Sequence, residues 1–299
     1  KVIALDHSEL ALYNLEKELK INFIKSNIKT VLGSINDKRV LKKIENDENI
    51  DIIFHAAAYK HVNLLEKNVS LAVENNIFGT QNILETFNKK KHHLIIISTD
   101  KAARPKSILG ATKRISEIIC QKFIKLKKVK SNIKIVRFGN VFGSKGSAIE
   151  LFIDQLNKNI PITLTHQKVK RYFMSMQEAC NLVLDITRLY ENDKIFILDM
   201  GEQILIKNII YKLASIKNIP KSQVKIKITG LKKGEKLLEE LSINKKLLKT
   251  KNKEIFLAKE RNYETQLIND FVLKLKKSVY IKNDILLKKM IFSFLNKEK

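Results

Sequence analysis

Apolar residues fall into short runs separated by stretches in which they recur every three or four positions. Lys1–Leu5, Ile28–Leu32, Ile50–Ala56, His93–Ser98 and Ile133–Phe138 have the length and β-branched content of buried strands. Leu10–Leu19, Val69–Phe87 and Ile108–Leu126 carry helical spacing between them. This alternation predicts an α/β protein built on a doubly wound parallel sheet. Ligands of such sheets sit beyond the carboxyl ends of the strands. Polar clusters follow the strands there: Asp6–Glu9, His55–His61, Ser98–Lys101 and Phe138–Ser147.

After Val141 the pattern changes to longer helices, fewer strands and glycine-bearing turns. We expect a sheet domain over 1–145 and a smaller α+β lobe over 146–243, interleaved with the end of the sheet. A Lys-rich extension follows over 244–299. There Phe271, Leu273 and Leu275, then Ile285, Leu286, Met290, Ile291 and Phe294, predict one or two helices.

Composition changes this picture little. The apolar fraction of 44% supports a core, and no apolar run reaches the roughly 18–20 residues that span a bilayer, so a soluble chain is expected. Two distant cysteines, Cys120 and Cys180, without clustered histidines, argue against a zinc site or a disulfide framework and fit a reducing compartment. The net charge of +26 invites a nucleic-acid reading. Lys dominates over Arg, is dispersed, and is accompanied by abundant Ile and Asn with no Trp. Biased composition on solvated faces accounts for that better, and no nucleic-acid partner is expected.

Candidate chemistry gathers at the strand ends. Asp6 has two readings, a partner for adenosine ribose hydroxyls or a cap on the following helix. In a dinucleotide fold its strand would be the second, about 20 residues after a glycine-rich loop. None of the nine glycines makes such a loop, so we expect a fragment short by at least ~25 residues, weak in NAD binding by itself. Asp37 suits an adenine amino group or, equally, a helix N-cap. Ala56 and Ala57 let a flat group approach the backbone, or simply pack. Thr99, Asp100 and Lys101 put a hydroxyl, a carboxylate and an ammonium side by side; an Asp–Lys turn is the bland alternative. Lys113 stands where a Tyr-x-x-x-Lys pair would end, but Leu109 replaces the Tyr. Downstream, Arg137, Lys145, Arg171, Lys233 and Glu235 in glycine-containing strings suggest a second, anionic ligand.

The strings FHAAAYKHVNLLEKN, NNIFGTQNILE, ISTDKAARPKSILGATKR, VRFGNVFGSKGSAIELF, RYFMSMQEACNLVLD, IFILDMGE and GLKKGEKLLEEL occur in this order. From Asp6 to about Ile243 the chain resembles the CapD-like polysaccharide biosynthesis family. These are extended short-chain dehydrogenase/reductases that act as UDP-N-acetylglucosamine 4,6-dehydratases on a Rossmann-like sheet. The resemblance implies NAD as cofactor, with Asp6, Asp37, Ala56, Ala57 and Lys113 on it. It implies a UDP-sugar substrate, expected at Lys60, His61, Asn140, Ser147, Arg171 and Glu235, and no metal. Thr99 would bond the C4 oxygen, Asp100 protonate the departing C6 hydroxyl, Lys101 assist removal of the C5 proton, and Lys113 hold the nicotinamide ribose. Leu109 matches in size and polarity the Met common in the branch that retains configuration at C5. A homo-oligomer is expected, in the cytoplasm or on the cytoplasmic face of a membrane if an upstream segment attaches it. Two rivals remain: a UDP-sugar 4-epimerase or inverting dehydratase, both of which should need Tyr at 109, and a non-catalytic nucleotide-sugar-binding fragment.

Overall fold

The computed structural model describes residues 1–299 apart from 24, 26, 127–129, 244–246, 261–262 and 298–299. The first half runs β1 (Val2–Asp6), α1 (Glu9–Asn22), β2 (Ile28–Leu32), α2 (Lys38–Asp47) and β3 (Ile52–His55). Short α3 (Val62–Leu65) and α4 (Val69–Ala72) lead through a π-helical turn, Val73–Phe78, into α5 (Gly79–Thr86). Then come β4 (His93–Ile97), a 3-10 turn (Asp100–Ala102), α6 (Ile108–Lys125) and β5 (Asn132–Arg137). Side-chain oxygens start the helices: Ser8 accepts from Ala11 N–H, Asp37 from Arg39 N–H and Ser107 from Gly110 N–H.

The second half holds β6 (Asn140–Val141), α7 (Ala148–Asn157), β7 (Ile162–Leu164), β8 (Lys170–Arg171), β9 (Phe173–Met174) and α8 (Met176–Arg188). It continues with β10 (Lys194–Leu198), β11 (Ile204–Leu205), α9 (Ile206–Ile216) and β12 (Ile226–Ile228). The chain ends with β13 (Leu248–Lys249), β14 (Ile255–Ala258), α10 (Thr265–Tyr280) and α11 (Asp284–Asn296).

All five strands expected in the first half form, and their pairings are parallel, but they divide between two sheets. β1 and β2 pair only with each other, Val2 opposite Ile28 through Asp6 opposite Leu32. The main sheet has the order β13-β14-β10-β5-β4-β3, with β3, β4, β5 and β10 parallel and β14 antiparallel to β10. Residues beyond 244 therefore return to the sheet as well as forming two helices. α10 and α11 pack with α4 and α6 in the largest core, which includes Ile115, Ile119, Phe271, Leu275, Ile291 and Phe294. The Asp284 carboxylate accepts the Val69 and Ser70 amides at 2.8 and 3.0 Å, so α11 caps α4. A separate core of Ile149, Phe152, Leu164, Val169, Ile206 and Ile210 belongs to the smaller lobe.

Four charged side chains, each at most 1% exposed, tie α6 to both halves of the main sheet. Arg137 at the end of β5 donates to Glu117 of α6 at 2.8 and 2.6 Å and to Glu260, just past β14, at 2.6 Å. Arg114 reaches the same two carboxylates at 3.1 and 3.2 Å. Burial would raise the Glu117 carboxyl, but Arg137 and Arg114, with the Ser98 hydroxyl, hold it down at about 2. Its stabilising contribution is therefore present above the unfolded value of 4.5 and is lost as pH falls toward 2. Glu117→Gln should cost about 3–5 kcal/mol at neutral pH, because it strands buried guanidinium charge. It should also flatten the acid limb of stability between pH 4.5 and 2. Urea denaturation across pH measures both.

Candidate active site

The carboxyl end of β4 carries the chemical groups. Beyond Ile97 the backbone still tracks β5, with Ser98 N–H donating to Val136 O at 2.7 Å and Asp100 N–H to Phe138 O at 3.1 Å. The Thr99 hydroxyl donates to Asp100 Oδ1 at 2.8 Å, and Lys101 Nζ donates to the same oxygen at 2.9 Å. α6 starts close against this tip: a Cβ on Gly110 would lie 2.3 Å from the Lys101 carbonyl oxygen. Glycine at 110 thus permits the approach that brings Leu109 beside Thr99 and Lys101.

A cavity of about 620 Å³ opens over the tip, between the main sheet and the lobe. Thr99, Lys101 and Leu109 line it together with Lys60, His61, Asn140, Ser147, Arg171 and Glu235. Nine of the expected catalytic and substrate residues therefore meet in one place. Arg171 Nη2 pairs with Glu235 Oε1 at 3.1 Å, and the Thr165 hydroxyl donates to the same oxygen at 2.8 Å. Ser147 also caps α7. Asp100 does not line the cavity: it is 0% exposed, behind Thr99 and Lys101, and its Oδ2 takes no hydrogen bond from the described residues. Arg137, a candidate anion contact by sequence, is instead engaged with Glu117 and Glu260. Lys145 and Lys233 are exposed and stand outside the cavity lining, which takes Lys232.

A second cavity of about 150 Å³ lies at the ends of β1, β2 and β3. Asp6, Ala56 and Ala57 line it with Gly33, Ser34 and Tyr59. Asp6 Oδ1 accepts the Ser8 amide at 2.8 Å, and Oδ2 has no hydrogen-bond partner among the described residues. A carboxylate oxygen open to a cavity beside a run of alanines fits a flat, hydroxyl-bearing group. Asp37 is elsewhere. It caps α2 and chelates Arg39 at 3.0 and 2.8 Å, which with the Arg39 amide holds its carboxyl at about 2. Capping is the role its geometry gives it.

Lys113 lies one turn along α6 from Leu109, buried, and lines neither cavity. Burial pulls its ammonium down to about 8, against the upward pull of Glu117 one turn further on. His55, at the end of β3, is pushed down to about 3 by burial and then by the Lys113 charge, so its imidazole is neutral. The Thr80 hydroxyl spends its proton on Asn76 O at 2.7 Å, so His55 Nε2 must be the donor in its 2.9 Å bond to Thr80.

Several residues that organise the site carried no obvious sequence signal. Asn76, in the π-helical turn, exchanges two hydrogen bonds with the Tyr59 backbone (2.8 and 3.1 Å) and donates to Thr112 of α6 at 3.1 Å. It thereby links the alanine run to the helix of Lys113. Ser98 donates to Glu117 at 2.6 Å, and Glu239 stands 3.9 Å from Lys101 Nζ. The asparagine pair in NNIFGTQN could have flagged Asn76, since buried Asn in a helix needs partners.

Among the described residues no group of three His, Cys, Asp or Glu is placed to hold a metal, and no helix is long and apolar enough to cross a membrane.

The profile of the family described as "Polysaccharide biosynthesis protein" matches residues 1–260. The capsular polysaccharide biosynthesis protein CapD of Staphylococcus aureus is 37% identical over 248 residues, covering 81% of this chain and 40% of that protein. The chain thus spans less than half the length of this relative. The UDP-N-acetylglucosamine 4,6-dehydratase (inverting) of Campylobacter jejuni is 31% identical over 247 residues, covering 80% and 68%. Among solved structures, Pen from Bacillus thuringiensis superposes with a TM-score of 0.76 at 27% identity over 91% and 89% of the two chains. DesIV from Streptomyces venezuelae, a dTDP-glucose 4,6-dehydratase solved with NAD, gives 0.69 at 19% identity over 79% and 77%. That likeness is one of fold.

The position of Lys113 has a measurable consequence. Below pH 8 both folded and unfolded chains carry its proton, and the buried charge costs its full amount. Above 8 the folded state sheds the proton while the unfolded state keeps it to about 10.5, so stability rises with pH. Between pH 8 and 9 the rise should be about 1 kcal/mol, and Lys113→Met should remove it. Above 9 the Cys120 thiol, pushed up to about 12 by burial, acts in the opposite direction, so thermal unfolding should be compared within this window.

Proposed function

The chain belongs to the polysaccharide biosynthesis protein family, and from that premise we propose that it carries the catalytic region of a UDP-N-acetylglucosamine 4,6-dehydratase. The observation that supports this most is the chain of hydrogen bonds Thr99–Asp100–Lys101 under the larger cavity. In this reading the UDP-sugar lies in that cavity, its phosphates near Arg171 and its hexose over the strand tip. NAD, with Asp6, Ala56 and Ala57 at its adenosine end and Lys113 beside the nicotinamide ribose, would take a hydride from C4 and return it at C6.

The residues of the chain move the protons. Thr99 Oγ1 takes the C4 hydroxyl proton while passing its own to Asp100 Oδ1. Lys101 Nζ gives a proton to the departing C6 hydroxyl, which leaves as water, and the amine so freed takes the C5 proton and returns it to C5. Asp100, buried behind the tip, then passes the C4 hydroxyl proton to Lys101 Nζ and restores the ammonium. A 4-epimerase, the alternative among nucleotide-sugar enzymes, should need a hydroxyl on α6 to shuttle the C4 proton, and Leu109 has none.

Incubation of the full-length protein with UDP-N-acetylglucosamine and NAD, followed by proton NMR, should yield a 4-keto-6-deoxy sugar nucleotide. Asp100→Asn and Lys101→Met should each lower kcat by about 10²–10⁴-fold. A C4 epimer as sole product would favour the epimerase, and sugar-nucleotide binding without turnover would favour a non-catalytic binding fragment. Leu109→Tyr should alter the rate or the configuration at C5; an unchanged enzyme would remove Leu109 from the argument.

A further inference from the structure

The loop after β12 reaches the site by an unusual path. Gly234, at φ +82°, lies so close to the start of α6 that a Cβ would stand 2.9 Å from the Ser107 Cα. Only a residue without a side chain adopts that conformation at that distance cheaply. From there the chain runs without regular structure to Glu239, which is 4% exposed. Gln203 grips Glu239 from both sides of its backbone: Oε1 accepts its N–H at 3.1 Å, and Nε2 donates to its carbonyl at 3.0 Å. The irregular segment is thereby fixed at Glu239, whose carboxylate turns inward.

That carboxylate stands among three cations, 3.7 Å from Lys236 Nζ, 3.9 Å from Lys101 Nζ and 3.9 Å from Arg171 Nε. None is within hydrogen-bond range, and Glu239 Oε2 and Asp100 Oδ2 both lack a hydrogen bond from the described residues. Lys101 lies between the two carboxylates, bonded to Asp100 at 2.9 Å, and of the three residues it alone lines the cavity. Burying a carboxylate without donors is costly unless nearby charge compensates it.

We propose that Glu239 is a positioning residue for Lys101: clamped by Gln203, its carboxylate holds the Lys101 amine between itself and Asp100, facing the cavity. The arrangement supports this independently of titration. Burial also raises the Glu239 carboxyl above its ordinary value, opposed first by Lys101, while Asp100 raises it further. The consequence for catalysis rests on the dehydratase reading, but the placement of the amine does not.

Competitive acylation of the folded protein with acetic anhydride at pH 8, read lysine by lysine by peptide mass spectrometry, tests the placement without any substrate. Glu239→Gln should raise the Lys101 rate about tenfold, because the amine loses one of the two carboxylates that hold it. Glu239→Asp should restore part of the wild-type protection, and Lys236 should change less than Lys101. If Glu239→Gln fails to fold, Gln203→Ala keeps the carboxylate and releases its backbone, and a Lys101 rate raised about threefold is expected. An unchanged Lys101 rate in a folded variant, or a rise confined to Lys236, overturns the proposal. In turnover, Glu239→Gln should lower kcat about tenfold with KM within twofold. A wild-type protein without dehydratase activity but with the labelling effect intact would sink the reaction and keep the positioning role. Activity with labelling unmoved would do the reverse.

Discussion

Glu117 is the residue on which the geometry of the site depends. Two arginines and the Ser98 hydroxyl converge on its carboxylate, from β5, from its own helix and from the tip of β4. Buried ion pairs rarely stabilise more than apolar packing of the same volume would. What this one contributes is direction. Each bond has a fixed length and angle, and together they set the rotation of α6 against β4 and β5. Lys113 and Leu109 lie one and two turns before Glu117 on the same helix, so a rotation that satisfies Glu117 also aims them. Glu260 extends the constraint to the segment after β14, which makes the C-terminal part of the chain a support of the site.

The larger cavity results from two contacts on either side of this frame. On the sheet side, Gly110 lets α6 close on the Lys101 carbonyl, so the tip is presented at the cavity floor. On the lobe side, Gly234 lets the loop 230–240 sit on the α6 N-cap. That loop delivers Glu235 to Arg171 inside the cavity and Glu239 to Lys101 behind it. A carboxylate on the cavity wall and another beneath it leave the local charge far more balanced than the +26 of the whole chain suggests. The lysine excess belongs mostly to the outer faces, while Lys101, Arg171 and Lys236 near the tip each have a carboxylate partner.

Much of this was legible in the sequence, and the limits have physical causes. Period-two and period-3.6 patterns are strong where one face is buried, so β1–β5, α1 and α6 could be placed to within a residue or two, apart from the end of α1. The tip residues Thr99 and Lys101, and Arg171 and Glu235 on the lobe, could be gathered because short ordered strings marked them. β14 was not legible: Ile255–Ala258 is four residues long in a Lys-rich background, too short for any period to appear. The burial of Asp100 and the capture of Arg137 by Glu117 were equally hidden, because contacts between residues far apart in the chain decide which neighbour wins a side chain. The capping use of Asp37 was one of two open readings, and the contact with nearby Arg39 decides it. Glu239 is the clearest instance. It lies in a run of alternating charge that reads as solvated surface, and only the Gln203 clamp turns it inward.

Leu109 can now be placed in this frame. It lines the cavity on α6, opposite Thr99, where an acid or base on that helix would have to stand. An apolar side chain there offers no proton path. The hydroxyl, carboxylate and amine at the β4 tip are already joined within 2.9 Å, so a proton entering at Thr99 has a hydrogen-bonded route that never touches α6. Lys113 remains one turn behind, desolvated and outside the lining of both cavities. The strand tip thus gathers the groups able to exchange protons, and the helix presents an apolar wall to the same cavity.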